Sequence, residues 1–201
     1  MGKLLLNALE PELSILSDED IKKFVGDCLE WASDYNAVGP ASSSGKFHPQ
    51  HDLGYGGLIR HTRATCMMLL RLFQAHPEYK NSSIKAQIIL GAAILHDMCK
   101  FVDNDGLAHT QAHHPVIMAT KMRELAGGIK SRSGKANALR MADVVEAHMS
   151  EWGTWKLGNV VIEARKPESM DDFMLVHADM LASAVWLHID FDRSNMVPDF
   201  K

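Results

Sequence analysis

Eleven of the 201 residues are histidines, and several interrupt runs of apolar or small residues where a polar side chain is out of place. They stand in Gly56-Gly57-Leu58-Ile59-Arg60-His61-Thr62, Ala92-Ala93-Ile94-Leu95-His96-Asp97-Met98-Cys99-Lys100, Ala112-His113-His114-Pro115, Val144-Val145-Glu146-Ala147-His148-Met149 and Leu175-Val176-His177-Ala178-Asp179-Met180. His96-Asp97 is the sharpest, because an imidazole and a carboxylate follow an apolar run in which an unpaired charge is costly to bury. Neighbouring helix positions differ in direction by about 100°. Two adjacent side chains can therefore flank one ion, and Asp97 keeps a second oxygen for another. A lone buried histidine is more often a hydrogen-bonded core residue; His76 before Pro77 and His188 near the C-terminus fit that description or simple exposure. His61, His96, Asp97, His148 and Asp179 together do not, since so many polar intrusions into one small core are a costly way to build a bundle.

The elements that must position these groups read as helices. Ser17 with Asp20 three residues on resembles a capping box and opens a helix through Ile21, Phe24, Val25, Cys28, Leu29 and Trp31 that stops near Val38-Gly39-Pro40. A polar loop from Ala41 to Tyr55 leads to helices over Leu58 to Ala75 and Ile84 to Cys99, a turn at Asp103-Asn104-Asp105-Gly106, and helices over 112–126, 135–149 and 171–190. Lys156 to Glu163 is the one stretch that reads as a short hairpin arm. The expectation is all-α: a single-domain helical bundle over 41–190 with long loops around the candidate site, an N-terminal helical segment over 1–40 packed on that core, and a C-terminal tail over 191–201.

The order His61, His96-Asp97, His148, Asp179 resembles the HD-domain superfamily of metal-dependent phosphohydrolases, over roughly Phe47 to Ala184. The segment from Gly56 to Thr62 is similar to the opening of that family's first ligand helix, Leu95 to Lys100 to its His-Asp signature, and Leu175 to Asp179 with Ala182-Ser183 to its closing motif. The resemblance has the flavour of the HD module of bacterial 3′-to-5′ exoribonucleases and their stand-alone relatives; the nucleic-acid-binding OB domain of those exonucleases finds no matching segment here. The resemblance implies that His61, His96, Asp97 and Asp179 hold one metal and that His114 and His148 complete a second site with Asp97 bridging. His113 is the alternative to His114, which the family pattern favours for its place before Pro115. His177 and Asp179 lie about 200° apart around a helix, so both cannot face one ion, and family position selects Asp179.

Mixed imidazole and carboxylate ligation suits one or two ions of Mn, Fe, Co, Ni or Zn better than Mg²⁺, which prefers oxygen ligands. Such an ion polarises a phosphoryl oxygen and acidifies bound water. With Asp97 at the centre of the chemistry, Lys100, one turn beyond His96, is assigned to phosphate charge, with Arg60 the weaker candidate; either is equally a solvated surface cation. In the loop Lys46-Phe47-His48-Pro49-Gln50-His51-Asp52, His51 is a candidate general acid for the leaving oxygen and Phe47 or Tyr55 a platform for a base, against the plainer alternative of a polar loop. Glu151 and Trp152 are candidates for the mouth of the site. His109 is left out.

Composition narrows the function. The chain is 46% hydrophobic and 23% charged, which excludes intrinsic disorder. Lys plus Arg at 21 against Asp plus Glu at 25 gives a net charge of −4, which argues against an extended nucleic-acid surface and leaves a nucleotide or short oligonucleotide as substrate. Cys28, Cys66 and Cys99 are scattered and read as reduced core thiols. With no secretory signal pattern and no long apolar run, the chain reads as cytoplasmic and without a membrane span. Twelve methionines suit either a soft core or a helix-packed homo-oligomer. The expected function is a metal-dependent phosphohydrolase acting on a phosphoester or phosphoanhydride of a nucleotide or short oligonucleotide. The alternatives are a diiron oxygenase on the same scaffold and a nucleotide-sensing module without turnover.

Overall fold

Asp18 begins the first long helix: its carboxylate accepts from the Ile21 N–H at 2.9 Å, and α3 runs Glu19–Trp31 with Ile21, Phe24, Val25, Cys28 and Leu29 buried at i, i+3, i+4, i+7 and i+8. The structure, a computed structural model, describes residues 3–42, 45–80, 83–101 and 111–191, with the side chain of Glu151 excepted. Before α3 come α1 (Lys3–Ala8) and α2 (Glu10–Ile15), which with Leu9 between them bury Leu5, Leu9 and Leu13. After it come α4 (Tyr35–Val38), α5 (Gly57–Ala75), α6 (Ile84–Leu95), α7 (His114–Ala126), α8 (Arg132–Ala147), an antiparallel hairpin of β1 (Thr154–Leu157) and β2 (Val160–Glu163), and α9 (Met170–Ala182). Short 3-10 turns cover Gln50–Asp52, Pro77–Tyr79 and Ser150–Trp152.

Helix α6 is the axis of this all-α unit. Every residue from Ala86 to Leu95 is buried, because α3, α5, α8 and α9 all pack on it. A helix covered on all sides is apolar all round, save here for Gln87, whose amide oxygen accepts from the Ser17 N–H. Each large aliphatic side chain so covered contributes about 1.5–3 kcal/mol. Helix α7 lies along α8, and α5 along α9. The core continues without a break into α1, α2 and α3. No helix among the described residues is long and apolar enough to cross a membrane.

Several boundaries differ from the sequence expectations, each for a local reason. The first cap is Asp18, not Ser17, whose N–H is instead taken by Gln87 Oε1 at 2.7 Å. The helix expected to run to Val38 breaks after Trp31, because the Asp34 carboxylate turns to accept from the Leu4 and Leu5 N–H groups. The buried Asn36 amide then exchanges bonds of 2.9 Å with the Phe101 backbone in both directions. Helix α6 stops at Leu95 rather than Cys99, so His96 is its C-cap and Asp97 stands in the turn beyond. Helix α8 starts earlier, at the Ser131 cap, and stops before His148. Helix α9 ends at Ala182, past which Val185 and Trp186 are exposed and no apolar stripe continues. The hairpin begins at Thr154, pairs Trp155 with Ile162 and turns at Gly158, whose φ is +60°. The expected turn over 103–106, His109 and the tail beyond residue 191 lie outside the described residues.

Candidate metal centre

Helix ends bring the chemical groups to one place. His61 comes from near the start of α5, His96 from the C-cap of α6 with Asp97 just after it, His114 from the first position of α7, His148 from the C-cap of α8, and Asp179 from the last turns of α9. On one side, His61 Nε2 and His96 Nε2 are 3.4 Å apart, with Asp179 Oδ1 at 3.0 Å from the first and 3.8 Å from the second. On the other, His114 Nε2 and His148 Nε2 are 3.3 Å apart. Asp97 stands between the two pairs. Its Oδ2 lies 3.5 and 3.4 Å from His61 and His96, and its Oδ1 lies 2.8 and 3.7 Å from His114 and His148.

Hydrogen bonding fixes which nitrogen faces inward. Nδ1 of His96, His114 and His148 approaches the carbonyl oxygens of Ala93, Gln111 and Val145 at 2.7, 2.8 and 2.7 Å. Each acceptor lies three residues before its histidine. The two C-cap histidines find these acceptors in the last turn of their own helix, and the Val145 carbonyl also takes the His148 N–H at 3.4 Å. A carbonyl only accepts, so Nδ1 carries the proton and Nε2 presents its lone pair to the centre. For His61, inside α5, the acceptor is a carboxylate from another segment, Asp52 Oδ2 at 3.0 Å.

This donor set passes the test of fit to a cation. Lone pairs converging at 3.3–3.4 Å repel one another unless a proton or cation lies among them. Donors about 2.1 Å from one ion are separated by about 3.0 Å at a right angle and about 3.4 Å at a tetrahedral angle. The two imidazole pairs and the His61–Asp179 contact fall in that range, and the remaining separations run from 2.8 to 3.8 Å. Asp97 Oδ2 is buried and accepts no directed hydrogen bond, although the Lys100 ammonium lies in ion-pair contact at 2.5 Å. These buried His/Asp groups could hold a metal ion.

The electrostatics divide the two sides. Burial opposes charge on His61, but Asp52 and Asp179 outweigh it and hold the imidazole up at about 10. Burial pushes His114 down to about 4, with Asp97 recovering only part of the loss. Burial alone would raise Asp97 and Asp179; the imidazoles around both, and Lys100 beside Asp97, hold them below the usual carboxylate range. Asp179, with a side chain 19% exposed, and Lys100, at 12%, are the groups through which the centre meets solvent.

Other residues singled out from the sequence fall as follows. Lys100 donates to the Ala41 carbonyl at 3.1 Å besides pairing with Asp97. His113 is the residue before α7, while its neighbour His114 meets Asp97. His177 is exposed and stacked on Phe173. His51 lies beside Asp52, with Nε2 3.4 Å from Oδ1 and its ring against Phe191. Arg60 donates to the His51 and Leu53 carbonyls and clamps the loop onto α5. Phe47, Tyr55 and Trp152 are exposed at 67%, 76% and 65%.

Sequence reasoning gave no role to Asp52, and the only signal for it was an acidic residue four positions ahead of Gly56 in the loop that leads into α5. Nor did it find the support of α9. There Asp172 closes a capping box with Ser169 and pairs with Arg140 and Arg165 at 3.1 and 3.0 Å, anchoring the helix that carries Asp179. No known protein family, curated protein or solved structure matches the chain.

Proposed function

We propose that this chain is a metal-dependent phosphohydrolase of the HD type, acting in the cytoplasm on a phosphoester or phosphoanhydride of a nucleotide or short oligonucleotide. The observation that carries the proposal is Asp97, one buried carboxylate whose two oxygens each face a pair of imidazoles. His61, His96, Asp97 and Asp179 would hold one divalent transition ion, and His114, His148 and Asp97 a second. Bound there, such ions supply Lewis acidity toward a phosphoryl oxygen and a water made acidic enough to ionise near neutral pH.

The chain's own groups supply the rest. Each of the four imidazoles commits Nδ1 to an acceptor outside the centre, so Nε2 is the nitrogen it would offer to an ion. His61 would then give up the proton it otherwise shares with Asp179. Lys100, at the solvent-facing edge, places a positive charge where phosphoryl oxygens arrive and shares it with Asp97 in their absence. Exposed Phe47, Tyr55 and Trp152 stand on the segments that lead into His61 and out of His148, where they can stack on a base. Water adds across a P–O bond, its oxygen joining phosphorus and the leaving oxygen taking a proton. His51 has no part in this proposal, because its ring packs between Asp52 and Phe191.

The test is turnover by chelator-stripped protein resupplied with Mn²⁺, Co²⁺ or Ni²⁺, against a panel of nucleoside mono-, di- and triphosphates and dinucleotides. Ion-dependent hydrolysis that is lost in Asp97→Ala supports the proposal. Inactivity on every member, with nucleotide held unchanged for hours, replaces it with a sensing role. A carboxylate bridging two imidazole-rich sides is equally the donor set of a diiron centre, so a second reading is an iron-dependent oxygenase. Iron at two equivalents with consumption of dioxygen would select it.

A further inference from the structure

The imidazoles around Asp97 are not oriented alike. Three take a backbone carbonyl three residues upstream as the Nδ1 acceptor, and His61 alone takes a carboxylate. Much of the loop before α5 serves to hold that carboxylate in place. The Ala41 N–H donates to the Asp52 carbonyl at 2.9 Å. Gly56 turns the chain with φ +69°, and a Cβ on Gly57 would lie 2.1 Å from the Asp52 carbonyl oxygen. Arg60 binds the carbonyls on either side of Asp52, and His48 Nδ1 meets the same Oδ2 at 2.9 Å.

A carboxylate behind an imidazole fixes its orientation and makes the far nitrogen a stronger ligand than a carbonyl does. Charge points the same way. The His61 and His96 side has Asp179 as a ligand and Asp52 behind it, offset by Lys100 on the Asp97 oxygen that faces this side. The His114 and His148 side has only its share of Asp97.

We infer that the centre fills in order, the His61, His96 and Asp179 side first and the His114 and His148 side second, and that Asp52 is the positioning residue that sets this order. The inference rests on the metal centre proposed above. It is tested by titrating the chelator-stripped full chain with Co²⁺, read by calorimetry and by visible absorption of the bound ion. The wild type shows a tighter and a weaker event. Asp52→Asn weakens the tighter event by about 10- to 100-fold and leaves the weaker one unmoved, while His148→Gln removes the weaker and keeps the tighter. Should Asp52→Asn fail to give the wild-type helical circular dichroism, the His148→Gln titration decides alone. Loss of the tighter event in His148→Gln, or both events unchanged in folded Asp52→Asn, overturns the order while leaving the centre standing. No uptake of Co²⁺ by the wild type overturns the centre itself.

Discussion

Adding an ion to chelator-stripped protein should raise its melting temperature by an amount that follows from where the donors come from. They belong to α5, the end of α6, α7, α8 and α9, so unfolding of the bundle disperses all of them and the ion binds only the folded chain. Such binding adds about 2.7 kcal/mol per site at a hundredfold excess over the dissociation constant. For a chain of 201 residues, each kcal/mol moves the midpoint by about 2–4 °C. One filled site therefore gives about 5–11 °C, and two sites about twice that. The assay is differential scanning fluorimetry or calorimetry with Mn²⁺, Co²⁺, Ni²⁺ and Zn²⁺ in turn, and Mg²⁺ as the ion expected to shift least, because it prefers an all-oxygen shell. Asp97→Asn keeps the shape of the bridge and removes its charge, so most of the rise should vanish. A wild-type shift below about 1 °C with every transition ion, or an undiminished shift in Asp97→Asn, refutes the reasoning.

Three further outcomes follow. In the chelator-treated protein the His61 imidazole is held at about 10 against an ordinary 6.5. A raised value in the folded state stabilises fully below pH 6.5 and is lost as pH climbs toward 10, so denaturant midpoints should fall over that window. They should fall less in Asp52→Asn or Asp179→Asn, which each remove part of the cause; a flat wild-type profile contradicts this. The buried Asp172 carboxyl would be raised by burial, but the Glu168 N–H, Arg165 and Arg140 outweigh that and hold it low. Its stabilisation is therefore present above the ordinary 3.8 and lost on acidification. Asp172→Ala removes the cap and its hydrogen bonds while Arg140 and Arg165 keep Asp171 and Glu168. It should therefore cost about 1–3 kcal/mol in urea unfolding at neutral pH, and a loss too small to measure would show that α9 does not depend on it. Gly57→Ala pushes a Cβ into the Asp52 carbonyl; it should cost about 1–3 kcal/mol and weaken Co²⁺ uptake without altering any charge, and unchanged uptake would argue that the loop tolerates displacement.

His61, His96, Asp97, His148 and Asp179 were legible in the sequence because each is a local anomaly, a titratable group set in an apolar helical stretch, whereas the choice of His114 over His113 and of Asp179 over His177 came from the family resemblance. Nothing beyond its own neighbours is needed to notice His96-Asp97 after Ile94 and Leu95. Asp52 offers no such contrast: it sits among polar loop residues, and its worth comes from a contact with His61 made by the fold of a 3-10 turn. The helices were legible as periodic stripes, but their ends were not. Ser17 and Asp18 are equally good caps by type, and the choice between them lies with Gln87, which is 70 residues away. The break after Trp31 is likewise decided by Asp34 reaching Leu4 and by Asn36 reaching Phe101. Lys100 was legible as a neighbour of the site, while its pairing with Asp97 depended on the chain leaving the helix at Leu95.

The burial of α6 along Ala86 to Leu95 has a bearing on how mutational maps of this protein should be interpreted. A saturation scan of that segment will show intolerance at nearly every codon, since larger side chains find no space, smaller ones leave cavities and new polar groups find no partner such as Gln87 has in Ser17. Defects at Ile89 or Leu90 will thus mimic those at His96 and Asp97 in any screen scored by function alone. Only a parallel measure of folded abundance separates the scaffold from the chemistry it holds.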